Sequence, residues 1–159
     1  MNDSGFTIHL TRVIEEFSLE KVYSSSDIDN IMIDTSDLNR PALQIAGYYD
    51  YYDANRLQIL GRVEITYLEQ FAREKRYELL DELFSRRFPA LIVTRNMQVC
   101  PEMIELAEKY DLTILRSEET TSSLMSAIIS YLNVQIAPRR TRHGVLVEVY
   151  GEGVLIMGE

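Results

Sequence analysis

The chain has 159 residues, 46% of them hydrophobic and 26% charged, with a net charge of -9 at pH 7, the profile of one globular domain or of one domain with a further fragment. The acidic balance argues against nucleic acid as a partner. No apolar run approaches the roughly 18 residues that span a bilayer, Met1 to Phe6 lack the basic and apolar regions of a signal peptide, and a lone cysteine, Cys100, excludes an internal disulfide; a cytoplasmic protein without a membrane partner is expected.

Apolar residues Ile8, Val13, Ile14 and Phe17 recur at nearly helical spacing, which predicts an amphipathic helix over Thr7 to Phe17 with Glu15 and Glu16 facing water. Short strand-like runs follow at Lys21 to Tyr23 and Ile31 to Ile33. Pro41 suits the first turn of a helix reaching about Ala46, which Gly47 is placed to end. Leu57 to Leu60, closed by Gly61, reads as a strand. Glu64 to Phe84 is helical in pattern, as two helices with a break near Arg73. Ala90 to Val93 is an uninterrupted apolar run, suited to a strand buried on both faces of a parallel sheet. Pro101 to Tyr110 reads as a helix, Thr113 to Leu115 as a strand, and Thr120 to Leu132 as a helix opened by a Thr/Ser-rich turn. The alternation predicts an α/β fold, a parallel sheet flanked by helices.

The texture changes at Ala137-Pro-Arg-Arg-Thr-Arg142, a basic, proline-containing stretch expected to link two parts. The divisions are a domain over residues 1–134, a linker over 135–142, and a second piece over 143–159. Arg139, Arg140 and Arg142 balance Glu148, Glu152 and Glu159, so residues 1–134 carry the whole net charge of -9. In the second piece, two apolar runs, His143 to Tyr150 and Val154 to Met157, flank Gly151-Glu152-Gly153 and suggest a β-hairpin. The second run delivers Gly158-Glu159, the way a phosphate-binding G-x-x-x-x-G-K-[ST] loop begins. Taken locally, a simple turn at a strand end is the other reading.

The segment Arg142-His-Gly-Val-Leu-Val-Glu-Val-Tyr-Gly-Glu-Gly-Val-Leu-Ile-Met-Gly158 resembles the approach to the P-loop in the HPr kinase/phosphorylases, bacterial enzymes acting on a serine of the phosphocarrier HPr. Ser36-Asp-Leu-Asn-Arg-Pro41, Ala46-Gly-Tyr-Tyr49, Tyr51-Tyr52, Arg56-Leu-Gln-Ile-Leu-Gly61, Pro89-Ala-Leu-Ile-Val-Thr-Arg95 and Leu115-Arg-Ser117 with Thr120-Thr121 resemble the N-terminal domain of that family, in the same order. The resemblance implies a domain similar to the N-terminal domain of the Mur ligases, followed by the first hairpin of a P-loop kinase domain cut off at its loop. It implies a full-length parent that phosphorylates HPr with ATP or pyrophosphate and Mg2+, removes the phosphate with inorganic phosphate, serves carbon catabolite regulation and assembles as a hexamer. His143 matches a position associated with the active site, and Gly158 and Glu159 match the start of the nucleotide-binding loop. The loop lysine and hydroxyl and the catalytic carboxylate are not among the 159 residues, so the chain alone is expected to be inactive. No structural metal is expected, because His9 and His143 lie far apart and no Cys/His zinc spacing occurs.

Other residues carry two readings each. Tyr48, Tyr49, Tyr51 and Tyr52, with Asp50 and Asp53, form either an aromatic platform or a loop of half-buried tyrosines. Arg40 binds either an anion or a nearby carboxylate. Thr35-Ser36-Asp37 makes either a phosphate nest or a turn. Cys100 stands before Pro101, where a helix dipole would lower its pKa, or serves as a quiet structural thiol. For the whole chain, the other function class is a stand-alone ligand-sensing α/β module.

Overall fold

The computed structural model describes residues 6–137; the expected hairpin, and with it His143, Gly158 and Glu159, lies outside the described residues. Four strands lie parallel and adjacent in chain order: β4 (Leu38–Asn39), β5 (Leu57–Leu60), β6 (Leu91–Val93) and β7 (Ile114–Arg116). The fifth, β2 (Glu20–Tyr23), pairs with β7 in the antiparallel sense, so the sheet is mostly parallel, as the α/β expectation has it, with one antiparallel edge strand. The helices are α1 (Leu10–Glu16), α2 (Ala42–Ile45), α3 (Arg62–Glu69), α4 (Arg73–Ser85), α5 (Pro101–Tyr110) and α6 (Thr121–Gln135).

The N-terminal helix is shorter than its periodicity predicts. Ile8 and His9 form a strand, β1, paired antiparallel with β3 (Met32–Ile33), and α1 starts only at Leu10. The Leu10 amide donates to the Ile31 carbonyl at 2.9 Å, so this small ribbon fixes where the helix begins. The expected helix over Thr120 to Leu132 runs on to Gln135, and the Ile136 carbonyl accepts from the Phe6 amide at 3.3 Å.

Alternation along the central strands divides the core between two faces. Leu60, Leu91, Val93 and Ile114 pack with Ile45 of α2, Leu68 of α3, Leu83 and Phe84 of α4, and Met103 and Leu106 of α5. Leu57, Ile59, Ile92 and Leu115 pack with Val13 and Ile14 of α1, Ile33, and Leu124, Ile128 and Leu132 of α6. Each fully buried leucine or isoleucine contributes on the order of 2 kcal/mol, so this double-sided cover stabilises strands of only three or four residues. Gln58 is the polar exception in β5. It is fully buried, and its side chain accepts from Asn39 Nδ2 at 2.7 Å and donates to the Arg56 carbonyl at 2.9 Å, leaving neither end of the amide orphaned.

The candidate site at the carboxyl edge of the sheet

In an open parallel sheet the connections leaving the strands' carboxyl ends form the edge where ligands are commonly held, above all where neighbouring connections go to opposite faces. Here the chain leaves β5 for α3 and β6 for α5 on one face, but leaves β7 for α6 on the other. Thr94, directly after β6, and Thr121, in the first turn of α6, meet over this divide with their hydroxyl oxygens 2.6 Å apart. Thr94 also donates to the Leu60 carbonyl at 3.2 Å, so Thr121 supplies the proton between the two hydroxyls. Both side chains are buried.

Gly61 lies beneath them, at the end of β5. A Cβ there would stand 2.5 Å from Thr121 Oγ1 and 2.6 Å from Arg40 Nη2, so close approach of two side chains, not a positive φ, makes glycine necessary. Glu64, three residues into α3 and only 2% exposed, takes both the Gly61 amide and Arg40 Nη2 on Oε1, each at 2.8 Å. The carboxylate thus caps α3 and anchors the arginine that follows β4. The connections after β6 and β7 are also interlocked, with the Arg95 amide donating to the Glu119 carbonyl at 2.8 Å and the Asn96 amide to the Ser117 carbonyl at 2.7 Å. Arg95 and Asn96 both adopt left-handed backbone, φ 58° and 53°, an uncommon state for non-glycine residues that this clamp holds in place.

The segments that carry the sequence resemblance converge on this edge: Arg40, Gly61, Thr94, Arg95, Ser117, Thr120 and Thr121 all end up at the carboxyl ends of four adjacent strands. Of the paired readings, Arg40 takes the carboxylate, and Thr35 to Asp37 is a turn in which the Asp37 amide donates to Thr35 Oγ1 at 3.1 Å. Sequence reasoning missed Glu64. The pattern of Gly61 followed three residues later by a glutamate, at the head of an apolar-periodic run, was the available sign.

The tyrosine loop is divided. Tyr49 and Tyr52 pack edge to face at 5.6 Å with Arg86 over the Tyr49 ring at 3.6 Å, whereas Tyr51 is 98% exposed. Burial first, then nearby negative charge, pushes the phenols of Tyr49 and Tyr52 up to about 12. Cys100 does stand at the head of α5, but burial raises its thiol pKa and the neighbouring Glu102 carboxylate adds to that, overturning the dipole-lowered reading. Among the described residues no group of three or more His, Cys, Asp or Glu is placed to hold a metal, and no helix is long and apolar enough to cross a membrane.

Fold and site together define an α/β domain with a polar, interlocked carboxyl edge. Its fold is shared with a crystal structure of the CBS and DRTGG domains of the regulatory region of Clostridium perfringens pyrophosphatase, complexed with the activator diadenosine tetraphosphate: the TM-score is 0.54 at 17% identity, over 81% of this chain and 50% of that one. Residues 8–132 match the family model described as HPr Serine kinase N terminus, and the chain belongs to that family. It is 41% identical over 97% of its length to an HPr kinase/phosphorylase of Lachnoclostridium phytofermentans, 40% over 93% to one of Caldicellulosiruptor bescii, and 39% over 96% to one of Streptococcus uberis. It spans about half the length of these relatives, 50%, 48% and 49% respectively.

Proposed function

We propose that these 159 residues are the noncatalytic N-terminal half of a bifunctional HPr kinase/phosphorylase, which phosphorylates and dephosphorylates a serine of HPr in the cytoplasm. The observation that carries this reading is an overall identity of about 40% over nearly the whole chain to relatives about twice its length. In the parent, ATP or pyrophosphate supplies the phosphoryl group, Mg2+ offsets the charge on the phosphates, and the P-loop holds them for in-line transfer. Gly158 and Glu159 would open that loop, and His143 would donate a hydrogen bond to the transferring phosphoryl group or to inorganic phosphate; all three lie outside the described residues. The domain over 1–134, with the layered arrangement of a Mur ligase N-terminal domain, then serves regulation or assembly of a homo-oligomer, a hexamer in the parent.

The reading is tested by incubating the purified chain with HPr, ATP and Mg2+, and separately phosphoserine-HPr with inorganic phosphate. No transfer in either direction is expected, since the loop lysine and the carboxylate base are not in the chain. Phosphate transfer by the chain alone would overturn it.

A further inference from the structure

The break between α3 and α4 and the head of α5 enclose a cavity of about 180 Å3. Its walls are apolar: Ile65 and Leu68 of α3, and Pro101 and Met103 of α5. Ile65, Leu68 and Met103 belong to the buried core, where side chains ordinarily pack with few voids larger than a water molecule. Cys100, the lone cysteine of the chain, and Arg76 of α4 supply the polar part of the lining. Glu69 and Gln98 also line the cavity and are exposed, so they mark its mouth.

Size and charge together decide what this cavity takes. Nucleotide-sized and drug-sized ligands occupy pockets of roughly 300 Å3 or more. An apolar cavity of about 150 Å3 takes up benzene, so the room here suits about six to eight non-hydrogen atoms. Arg76 spends Nε on Glu102 at 2.6 Å and Nη1 on the Phe71 carbonyl at 3.0 Å, so its charge is met within the fold and an anion gains little from it. Glu102 is likewise held by Arg76 and Arg73, which leaves a cation no unpaired buried carboxylate. The Cys100 sulfur adds a soft, polarizable surface to the apolar walls.

We propose that this cavity is a binding site for a compact neutral molecule with an apolar body, aromatic or branched alkyl, seated among Ile65, Leu68 and Met103 against the Cys100 sulfur. The site goes beyond the kinase reading and stands independently of it, since it uses only residues of α3, α4 and the head of α5. An occupant touches all three helices beside the break that Arg76 closes, and by binding the folded state alone it raises the thermal midpoint of the domain.

The test is a titration of the 159-residue chain, labelled with 13C-methyl methionine, with benzene, and with benzoate and benzylammonium as charged arms. The Met103 methyl signal should shift and saturate in the millimolar range, while those of exposed Met32 and of Met125 on the opposite face of the sheet stay in place. Benzene should slow the reaction of Cys100 with a disulfide reagent, with the same midpoint as the Met103 shift. Benzoate and benzylammonium should each bind at least about tenfold more weakly, because neither finds an unpaired buried partner. Ile65→Phe fills the space the ligand needs and should weaken benzene about tenfold or more, whereas Val63→Phe, on the exposed side of the same helix, should change nothing. The shift and the Cys100 protection are read on the unaltered chain and do not depend on how Ile65→Phe folds. No Met103 shift, equal shifts at Met32 and Met125, an unprotected Cys100, a charged arm as tight as benzene, or full affinity in folded Ile65→Phe would overturn the proposal.

Discussion

Arg76 Nε donates to Glu102 Oε1 at 2.6 Å, joining α4 to α5 through a carboxylate that is 3% exposed. Arg76 also donates through Nη1 to the Phe71 carbonyl at 3.0 Å, so the same guanidinium closes the break between α3 and α4. Burial pushes the Glu102 carboxyl up, but hydrogen bonds from Arg76 and the Cys100 thiol, with the charges of Arg76 and Arg73, outweigh it and hold the group below the usual carboxylate range. Removing the arginine leaves a buried, unpaired carboxylate: Arg76→Ala is expected to cost about 3 kcal/mol or more in denaturant unfolding, more than Glu102→Gln. A folded pKa below the unfolded value of about 4.3 means the stabilisation is complete above that pH and is lost as pH falls through the folded value. Acid unfolding of Glu102→Gln should therefore be less steep than that of the parent, and an unchanged acid limb would contradict the assignment.

Gly61→Ala is expected to destabilise by about 1 to 3 kcal/mol, the cost of forcing an extra methyl group into a filled space. The neighbour it meets, Thr121, is identified by its 2.5 Å approach. Adding Thr121→Ala to Gly61→Ala should recover part of the loss in thermal unfolding, because one of the two clashes is relieved; strictly additive losses would show that the two sites do not touch.

Among the described residues the buried hydroxyl of Tyr52 has no hydrogen-bond partner, that of Tyr49 has only Arg86 beside it, and both groups ionise only near 12. Above about pH 10 the unfolded chain sheds these protons while the folded chain keeps them, so stability falls as pH rises from 10 towards 12. Ultraviolet difference titration should show Tyr49 and Tyr52 ionising late, along with Tyr110, which its hydrogen bond to Asp81 also raises, and Tyr52→Phe should remove one late-ionising group while leaving stability unchanged or raised. A marked loss of stability in Tyr52→Phe would show that its hydroxyl has a partner.

The raised pKa of Cys100 makes it a slow nucleophile. At pH 7 its reaction with a disulfide reagent should be slower than that of free cysteine and should accelerate on unfolding; a native rate equal to the free thiol would contradict the burial argument.

Long apolar or periodic segments were the legible part of the fold. Leu57 to Leu60 and Pro101 to Tyr110 occupy the residues expected, because β5 is apolar enough to need cover on both faces and α5 opens on a proline. Two-residue strands were not legible: Leu38–Asn39 has no period to read, and Ile8–His9 is recruited from an apparent helix by pairing with Met32–Ile33. The site divides in the same way. Arg40, Gly61, Thr94 and Thr121 stood in quoted segments, but their meeting depends on strand order, and the pairing of Arg40 with Glu64 joins residues 24 apart that no local pattern connects. The tyrosine loop was read from residue type alone, which does not tell exposed Tyr51 from packed Tyr52.

The central claim, that the chain is the first half of a P-loop HPr kinase/phosphorylase, is tested most directly by reading the gene beyond the codon for Glu159. Counting from Gly158, the fifth, sixth and seventh codons that follow should encode glycine, lysine, and serine or threonine, completing the G-x-x-x-x-G-K-[ST] loop. A stop codon, or an open frame without that lysine, would contradict the account and leave a stand-alone module in its place.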